Sequence, residues 1–174
     1  MIWDKSDAMT SKKLYLVRHA KSSWKDSSLA DFDRPLNKRG EKNAPLMGKM
    51  LVSNKIKPDL IVSSPANRAK LTALILAKEL HYPKKKIVYM ESIYNAPAEE
   101  LIPCIHSFDD QFDRAIMVGH NTGFTTLANL LGGLDIPNVP TCGIVALSFK
   151  VDRWKDVKEK DGKLLFFYYP KMMD

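Results

Sequence analysis

The chain has 174 residues, 45% of them hydrophobic, which suits one domain with a substantial core. Its 27 Lys and Arg outnumber 20 Asp and Glu for a formal charge of +7, favouring anionic partners without choosing among a phosphorylated substrate, nucleic acid and a membrane surface. No run approaches the roughly 18 apolar residues of a membrane span, and MIWDKSDAMTSKK lacks a signal-peptide core, so a cytoplasmic location with no membrane partner is expected. Cys104 and Cys142 have none of the CxxC or Cys/His spacing of a zinc or redox site and read as two reduced structural thiols.

Residues 1–11 are polar and unpatterned and read as a loose extension, with Met9 as an alternative start, ahead of a single domain over 12–174. Leu14 to Val17 is a short apolar run suited to a strand buried on both faces, and it ends abruptly in Arg18, His19, Ala20 and Lys21. Ser22 to Arg39 is a charged loop, long enough to be functional. Asn37 can cap a helix to about Ser53 with Leu46, Met47, Met50 and Leu51 inward. Pro45 conflicts with that reading, so the helix is either kinked or starts later, behind Asn43.

Leu60 to Val62 is a second buried strand. Ser64 as N-cap and Pro65 at the first helical position predict a helix to about Leu80 with Leu71, Leu74 and Ile75 buried, placing Arg68 in its first turn. Lys86 to Met90 reads as a third strand after the basic turn YPKKK, which lacks the interleaved aromatics of a nucleic-acid site. Glu91 follows at its end, and then a short helix after Pro97 with Leu101, Ile102 and Ile105 inward. Ala115 to Gly119 is a fourth strand closing on His120, Asn121 and Thr122, and Asn121 or Thr122 can cap a helix from Phe124 to Leu131 that stops at Gly132 and Gly133. Ile144 to Phe149 and Leu164 to Tyr169 form a hairpin with its turn at Asp161-Gly162, at one end of the sheet. Alternating strands and helices predict an α/β sandwich.

Three strands end alike, in VRHAK, VSSPANR and VGHNTG. Parallel strands present their carboxyl ends on one edge, where ligands bind, so Arg18, His19, Arg68 and His120 are expected to converge. Two arginines and two histidines packed together call for an anion, and a phosphoryl group offers oxygens to several donors at once.

The ordered set RHA (Arg18 to Ala20), DFDRPL (Asp31 to Leu36), SSPANR (Ser63 to Arg68) and VGHN (Val118 to Asn121) resembles the histidine phosphatase superfamily, most closely its small SixA-type phosphohistidine phosphatases. The resemblance runs from about Lys13 to Phe149. It implies a three-layer α/β/α sandwich around a mostly parallel sheet, phosphoglycerate mutase-like, with little or no cap domain. By the same resemblance His19 is the nucleophile that forms a phosphohistidine intermediate. Arg18, Arg68 and His120 then hold the equatorial oxygens, and neither cofactor nor metal is needed. The second ring nitrogen of His19 is expected to donate to a backbone carbonyl, fixing the tautomer.

Other assignments stay open. Lys21 and Ser23 are either phosphate contacts or solvated loop residues, Arg34 either a phosphate ligand or an ion-pair partner of Asp31 or Asp33, and Asn121 either a phosphate ligand or a helix cap. Glu91 looks like the glutamate that protonates the leaving oxygen of phosphate esters, while a protonated imidazole leaves phosphorus without such help. With little chain to spare for a cap, the expected partner is a phosphorylated protein bearing phosphohistidine, and a phosphate or sulfate ion is expected to fit the site. The alternatives are a phosphatase or mutase for small esters on the same fold and, further off, a non-catalytic phosphoprotein- or nucleic-acid-binding module, against which the pair His19 and His120 speaks.

Overall fold

A computed structural model describes residues 10–174; most of the expected extension over 1–11, with Met9, lies outside the described residues. Six strands form one sheet in the order β3-β2-β4-β1-β5-β6. They are β1 (Lys12–Arg18), β2 (Leu60–Ser63), β3 (Val88–Tyr89), β4 (Arg114–Gly119), β5 (Ile144–Phe149) and β6 (Lys163–Tyr168). The first four in sequence are mutually parallel, β5 runs antiparallel to β1, and β6 antiparallel to β5, as the predicted hairpin requires.

Alternation along β1 explains its unbroken apolar run. Leu14 and Leu16 pack into one core beneath α3 (Ala98–His106) and α4 (Gly123–Gly132). Tyr15 and Val17 pack into the other, against α1 (Lys38–Ser53) and α2 (Asn67–Glu79). A sheet covered on both faces is the predicted three-layer sandwich, and it selects apolar residues at every position of its central strands.

Register then sets the functional edge. Arg18 lies opposite Gly119 and Ser63 opposite Val118, and the ladder continues one residue past the strand ends through His19 N–H to Gly119 O (3.0 Å) and Ser64 N–H to Val118 O (3.0 Å). His19, Ser64 and His120 therefore leave the sheet side by side.

Several local expectations are corrected. α1 begins at Lys38 and is continuous through Pro45, with Asn37 Oδ1 accepting from Gly40 N–H at 2.9 Å; Asn43 caps nothing. Proline deletes one hydrogen bond, which the rest of a 16-residue helix tolerates. Leu46 is only half-buried, and the buried line runs through Ala44, Met47, Met50 and Leu51.

α2 starts at Asn67, not at Pro65, because the Ser64 hydroxyl is engaged at the sheet edge. Its buried face is Arg68, Ala69, Thr72, Ala73, Leu76 and Ala77, while Leu71, Leu74 and Ile75 are half-buried on the flanks. Small residues allow α2 close approach to the sheet and to α1. In α3, Ile102 is likewise half-buried. β3 keeps only two residues, since Lys84–Lys86 form an exposed 3-10 turn. α4 ends as expected, with Gly133 in the left-handed conformation at φ 58°. Both cysteines are free and buried; Cys142 precedes β5, and burial pushes its thiol up to about 12.

The loop after β1 is pinned to α1. Asn37 N–H donates to Lys21 O, and a Cβ placed on Gly40 would sit 2.2 Å from that same carbonyl. Gly40→Ala must push the loop off the helix, and it is expected to lower the free energy of unfolding by about 1–3 kcal/mol. Urea denaturation measures this, and an unchanged midpoint would contradict it.

Candidate active site

His19 is 8% exposed and stands where β1 leaves the sheet. Its Nδ1 lies 2.8 Å from Ala20 O. A carbonyl only accepts, so Nδ1 carries the proton, and the lone pair of the neutral ring is left on Nε2. Nε2 faces Arg68, whose Nε donates to it at 3.3 Å. Thr72 secures this arrangement from α2: its hydroxyl accepts from Ala20 N–H (2.9 Å) and donates to Arg68 O (2.8 Å).

His120 lies beside it, with ring centroids 5.2 Å apart. Its Nε2 meets the Ser64 hydroxyl at 2.8 Å, and Ser64 Oγ also accepts from Ala66 N–H at 3.2 Å. The buried His120 Nδ1 and Arg18 Nε have no hydrogen-bond partner among the described residues. Arg18 donates through Nη1 to Val139 O at 2.9 Å. Two buried nitrogens without protein partners, on one strand edge, are what a site for an oxyanion presents.

The predicted convergence of Arg18, His19, Arg68 and His120 thus has a definite geometry. Arg18, His19, Lys21, Ser22, Trp24, Arg34, Arg68 and Thr141 line a cavity of about 270 Å³, with four cationic side chains and no acid among them. Burial pushes His19 down to about 4, opposed by the Ala20 carbonyl and reinforced by the charges of Arg68, Arg18 and Arg34. Burial likewise takes His120 down to about 3, helped by His19 and Arg68. Both rings are neutral at physiological pH. Burial also lowers Arg18 from the ordinary arginine value.

Arg34 resolves as an ion-pair former. Its Nη1 donates to Asp31 Oδ1 (3.0 Å), Nε to Ser23 O (3.1 Å) and Nη2 to Ser22 Oγ, while its guanidinium lies 3.2 Å over the centre of the Trp24 ring. Lys21 is exposed and lines the cavity. Ser23 belongs to a neighbouring groove, and its hydroxyl accepts from Lys25 N–H. Asn121, expected as a phosphate contact, has its amide committed elsewhere. Nδ2 donates to Asn138 Oδ1 (2.7 Å) and Val139 O (3.2 Å), and Oδ1 accepts from Thr125 N–H (3.2 Å) and its hydroxyl (2.7 Å), which is the capping alternative. Glu91 opens the 3-10 turn Glu91–Ile93 and is exposed; neither it nor His120 is among the residues lining the cavity, but His120 adjoins it through the His19 ring, 5.2 Å away.

Sequence reasoning missed three participants. Asp31 pairs with Arg68 as well as Arg34, Tyr94 donates to Asp31 Oδ2 at 2.6 Å, and Ser64 holds His120. Only the Asp31/Arg34 spacing was visible in the sequence; the others join distant segments. Among the described residues no three His, Cys, Asp or Glu side chains cluster as metal ligands, and no helix is long and apolar enough to cross a membrane.

This fold and strand-edge site define a phosphoglycerate mutase-like α/β domain with a paired-histidine, arginine-rich anion site. Residues 14–93 match the histidine phosphatase superfamily (branch 1). An uncharacterized chloroplastic protein of Arabidopsis thaliana is 33% identical over 160 residues, covering 87% of this chain and 73% of that protein. The structure of a candidate phosphohistidine phosphatase SixA from Agrobacterium tumefaciens superposes with a TM-score of 0.79 at 28% identity, over 91% of this chain and 98% of the other. The protein histidine phosphatase SixA complexed with tungstate shares the fold, with a TM-score of 0.78 at 16% identity over 93% and 99% of the two chains. The chain belongs to the histidine phosphatase superfamily and is SixA-like.

The low histidine values carry a stability signature. The unfolded chain takes up these protons near 6.5, the native site only near about 4 and about 3. Stability is therefore complete above 6.5 and falls as pH drops through that window, by ~1.4 kcal/mol per pH unit for each histidine. Urea denaturation of wild type and His19→Gln between pH 6.5 and 4 should differ in slope by one proton; parallel curves would contradict it.

Proposed function

We propose that the protein is a phosphohistidine phosphatase that turns over through a covalent phosphohistidine at His19. The observation that carries this reading is the Nδ1 to Ala20 O hydrogen bond, which leaves the Nε2 lone pair of a neutral, buried imidazole pointing into a cationic cavity. Nε2 attacks phosphorus in line as the bond from phosphorus to the substrate nitrogen breaks. The substrate imidazole leaves as a neutral ring, having entered protonated. Water then attacks the phosphorylated His19, inorganic phosphate departs, and His19 returns to its neutral form. Arg18, Arg68 and His120 stabilise the charge on the equatorial oxygens, and Lys21 contributes from the rim.

The acid inventory supports a leaving group that needs no strong proton donor. Asp31, the carboxylate in contact with the arginines, is held at about 2 by its bonds to Tyr94 and Arg68, so it stays ionised. Glu91 is exposed and, among the described residues, pairs with none of the site's arginines. In this reading Glu91 serves ester hydrolysis at most. The modest cavity of about 270 Å³ and the lack of chain for a cap suit a phosphorylated side chain on a protein surface. That a SixA protein of this fold binds tungstate, a tetrahedral oxyanion, is in keeping with phosphate at this site.

Phosphate release from a histidine-phosphorylated protein, assayed in chelator beside an aryl phosphate ester, tests the reading. His19→Ala is expected to lose roughly a thousandfold or more on both substrates. Glu91→Gln is expected to spare phosphohistidine hydrolysis and depress only ester hydrolysis. Equal losses on both substrates in Glu91→Gln would remove the division of labour, and a His19→Ala protein that still turns over would remove the mechanism.

A further inference from the structure

Asp31 stands at the centre of the site's charge without having been assigned a task. Arg34 and Arg68 together present six guanidinium nitrogens, and three of them donate to Asp31. Arg34 Nη1 reaches Oδ1 (3.0 Å), Arg68 Nη2 reaches Oδ2 (3.0 Å), and Arg68 Nη1 reaches the backbone carbonyl (2.7 Å). The Tyr94 hydroxyl donates to Oδ2 as well. Both arginine side chains are almost wholly buried, at 8% and 6% exposure, whereas that of Asp31 is 45% exposed.

The contact is held from several sides. Phe32 packs edge-on against Tyr94 at 5.2 Å, Tyr94 packs edge-on against His120 at 5.4 Å, and Asn67 Nδ2 donates to Asp33 O at 3.1 Å. The turn Asp31–Asp33 is thereby clamped to the start of α2 and to the segment after β3. Arg18, by contrast, has no carboxylate partner among the described residues, and its Nε is unpaired. One anion is thus built into a group of cations that otherwise face the cavity.

We propose that Asp31 is the resident counter-anion of the phosphoryl site, a positioning residue that holds Arg34 and Arg68 for the nucleophile and limits how tightly the site retains inorganic phosphate. The inference rests on the phosphatase reading for its biological meaning. Its physical content, the opposition of a fixed carboxylate to a bound oxyanion, is testable on phosphate binding alone. With Asp31 in place, Arg68 keeps its Nε on His19 Nε2, and each Nη nitrogen of the paired arginines retains a second N–H for a ligand oxygen. The same charge repels the released phosphate, which favours departure of product over its retention.

Isothermal titration of the full chain with inorganic phosphate at fixed pH and low salt tests the assignment. Asp31→Asn keeps the shape and removes the charge, and it is expected to bind phosphate about tenfold or more tightly than wild type. The same variant is expected to show inhibition of turnover at correspondingly lower phosphate. Tyr94→Phe keeps the charge and removes only the phenol, and its phosphate affinity is expected within about threefold of wild type. A purely structural role for Asp31 would weaken phosphate binding in a folded Asp31→Asn protein, and equal or weaker binding overturns the proposal. Tenfold tightening in Tyr94→Phe overturns it too, since loosening rather than charge would then be the cause. Asp31→Ser provides the same comparison where Asp31→Asn does not fold. A wild type that binds phosphate yet releases none from a phosphohistidine substrate refutes the phosphatase reading and leaves the counter-anion to be judged on the titrations.

Discussion

The parallel register of β1, β4 and β2 is the constraint on which everything at the site depends. Side chains alternate across a sheet, so a slip of one residue between β1 and β4 would send Leu14 and Leu16 into the core that receives Tyr15 and Val17. Two complementary cores forbid that slip, and by doing so they fix Arg18 opposite Gly119 and let His19 emerge beside His120. The chemistry at the edge is located by hydrophobic packing several residues away. Neither histidine chooses its own position.

At that edge the protein accepts an electrostatic cost. Burying arginines and histidines together removes them from water, and an isolated charge so placed is expensive. Two devices reduce the cost. The histidines give up their protons, which turns a repulsive cluster into one where the His19 Nε2 lone pair accepts from Arg68. Arg34 and Arg68 share Asp31, and Arg34 also stacks on the Trp24 ring and donates to the loop through Ser22 and Ser23. The devices that make the cluster bearable also make it a nucleophile held in a positive field.

How much of this was legible in the chain follows from the range of each interaction. The alternation of strands with helices, the terminal hairpin and the meeting of Arg18, His19, Arg68 and His120 were legible, because parallel strands that alternate with helices end at one edge. The tautomer of His19 was anticipated in kind, and the structure supplies the acceptor as Ala20 O. What failed depended on partners remote in sequence. Ser64 looked like a helix cap until His120, from another strand, took its hydroxyl. The burial of α2 was misjudged because large Leu71, Leu74 and Ile75 drew attention from Ala69, Ala73 and Ala77, whose small size lets the helix lie close to the sheet. Asp31 beside Arg34 was visible as a spacing; Asp31 beside Arg68, 37 positions away, was not.

The two tryptophans of the described residues sit at opposite extremes. Trp24 is 74% exposed, borders the cavity and lies against the Arg34 guanidinium. Trp154 is fully buried near the amino ends of β1 and β4, its indole N–H donating to Phe112 O at 2.8 Å and Lys12 close to its ring. An anion that draws on Arg34 alters the surroundings of one indole and leaves the other untouched. Of the described tryptophans one is therefore an optical reporter at the site and the other an internal reference at the far end of the sheet, so that in a Trp3→Phe protein occupancy of the cavity can be followed by intrinsic fluorescence.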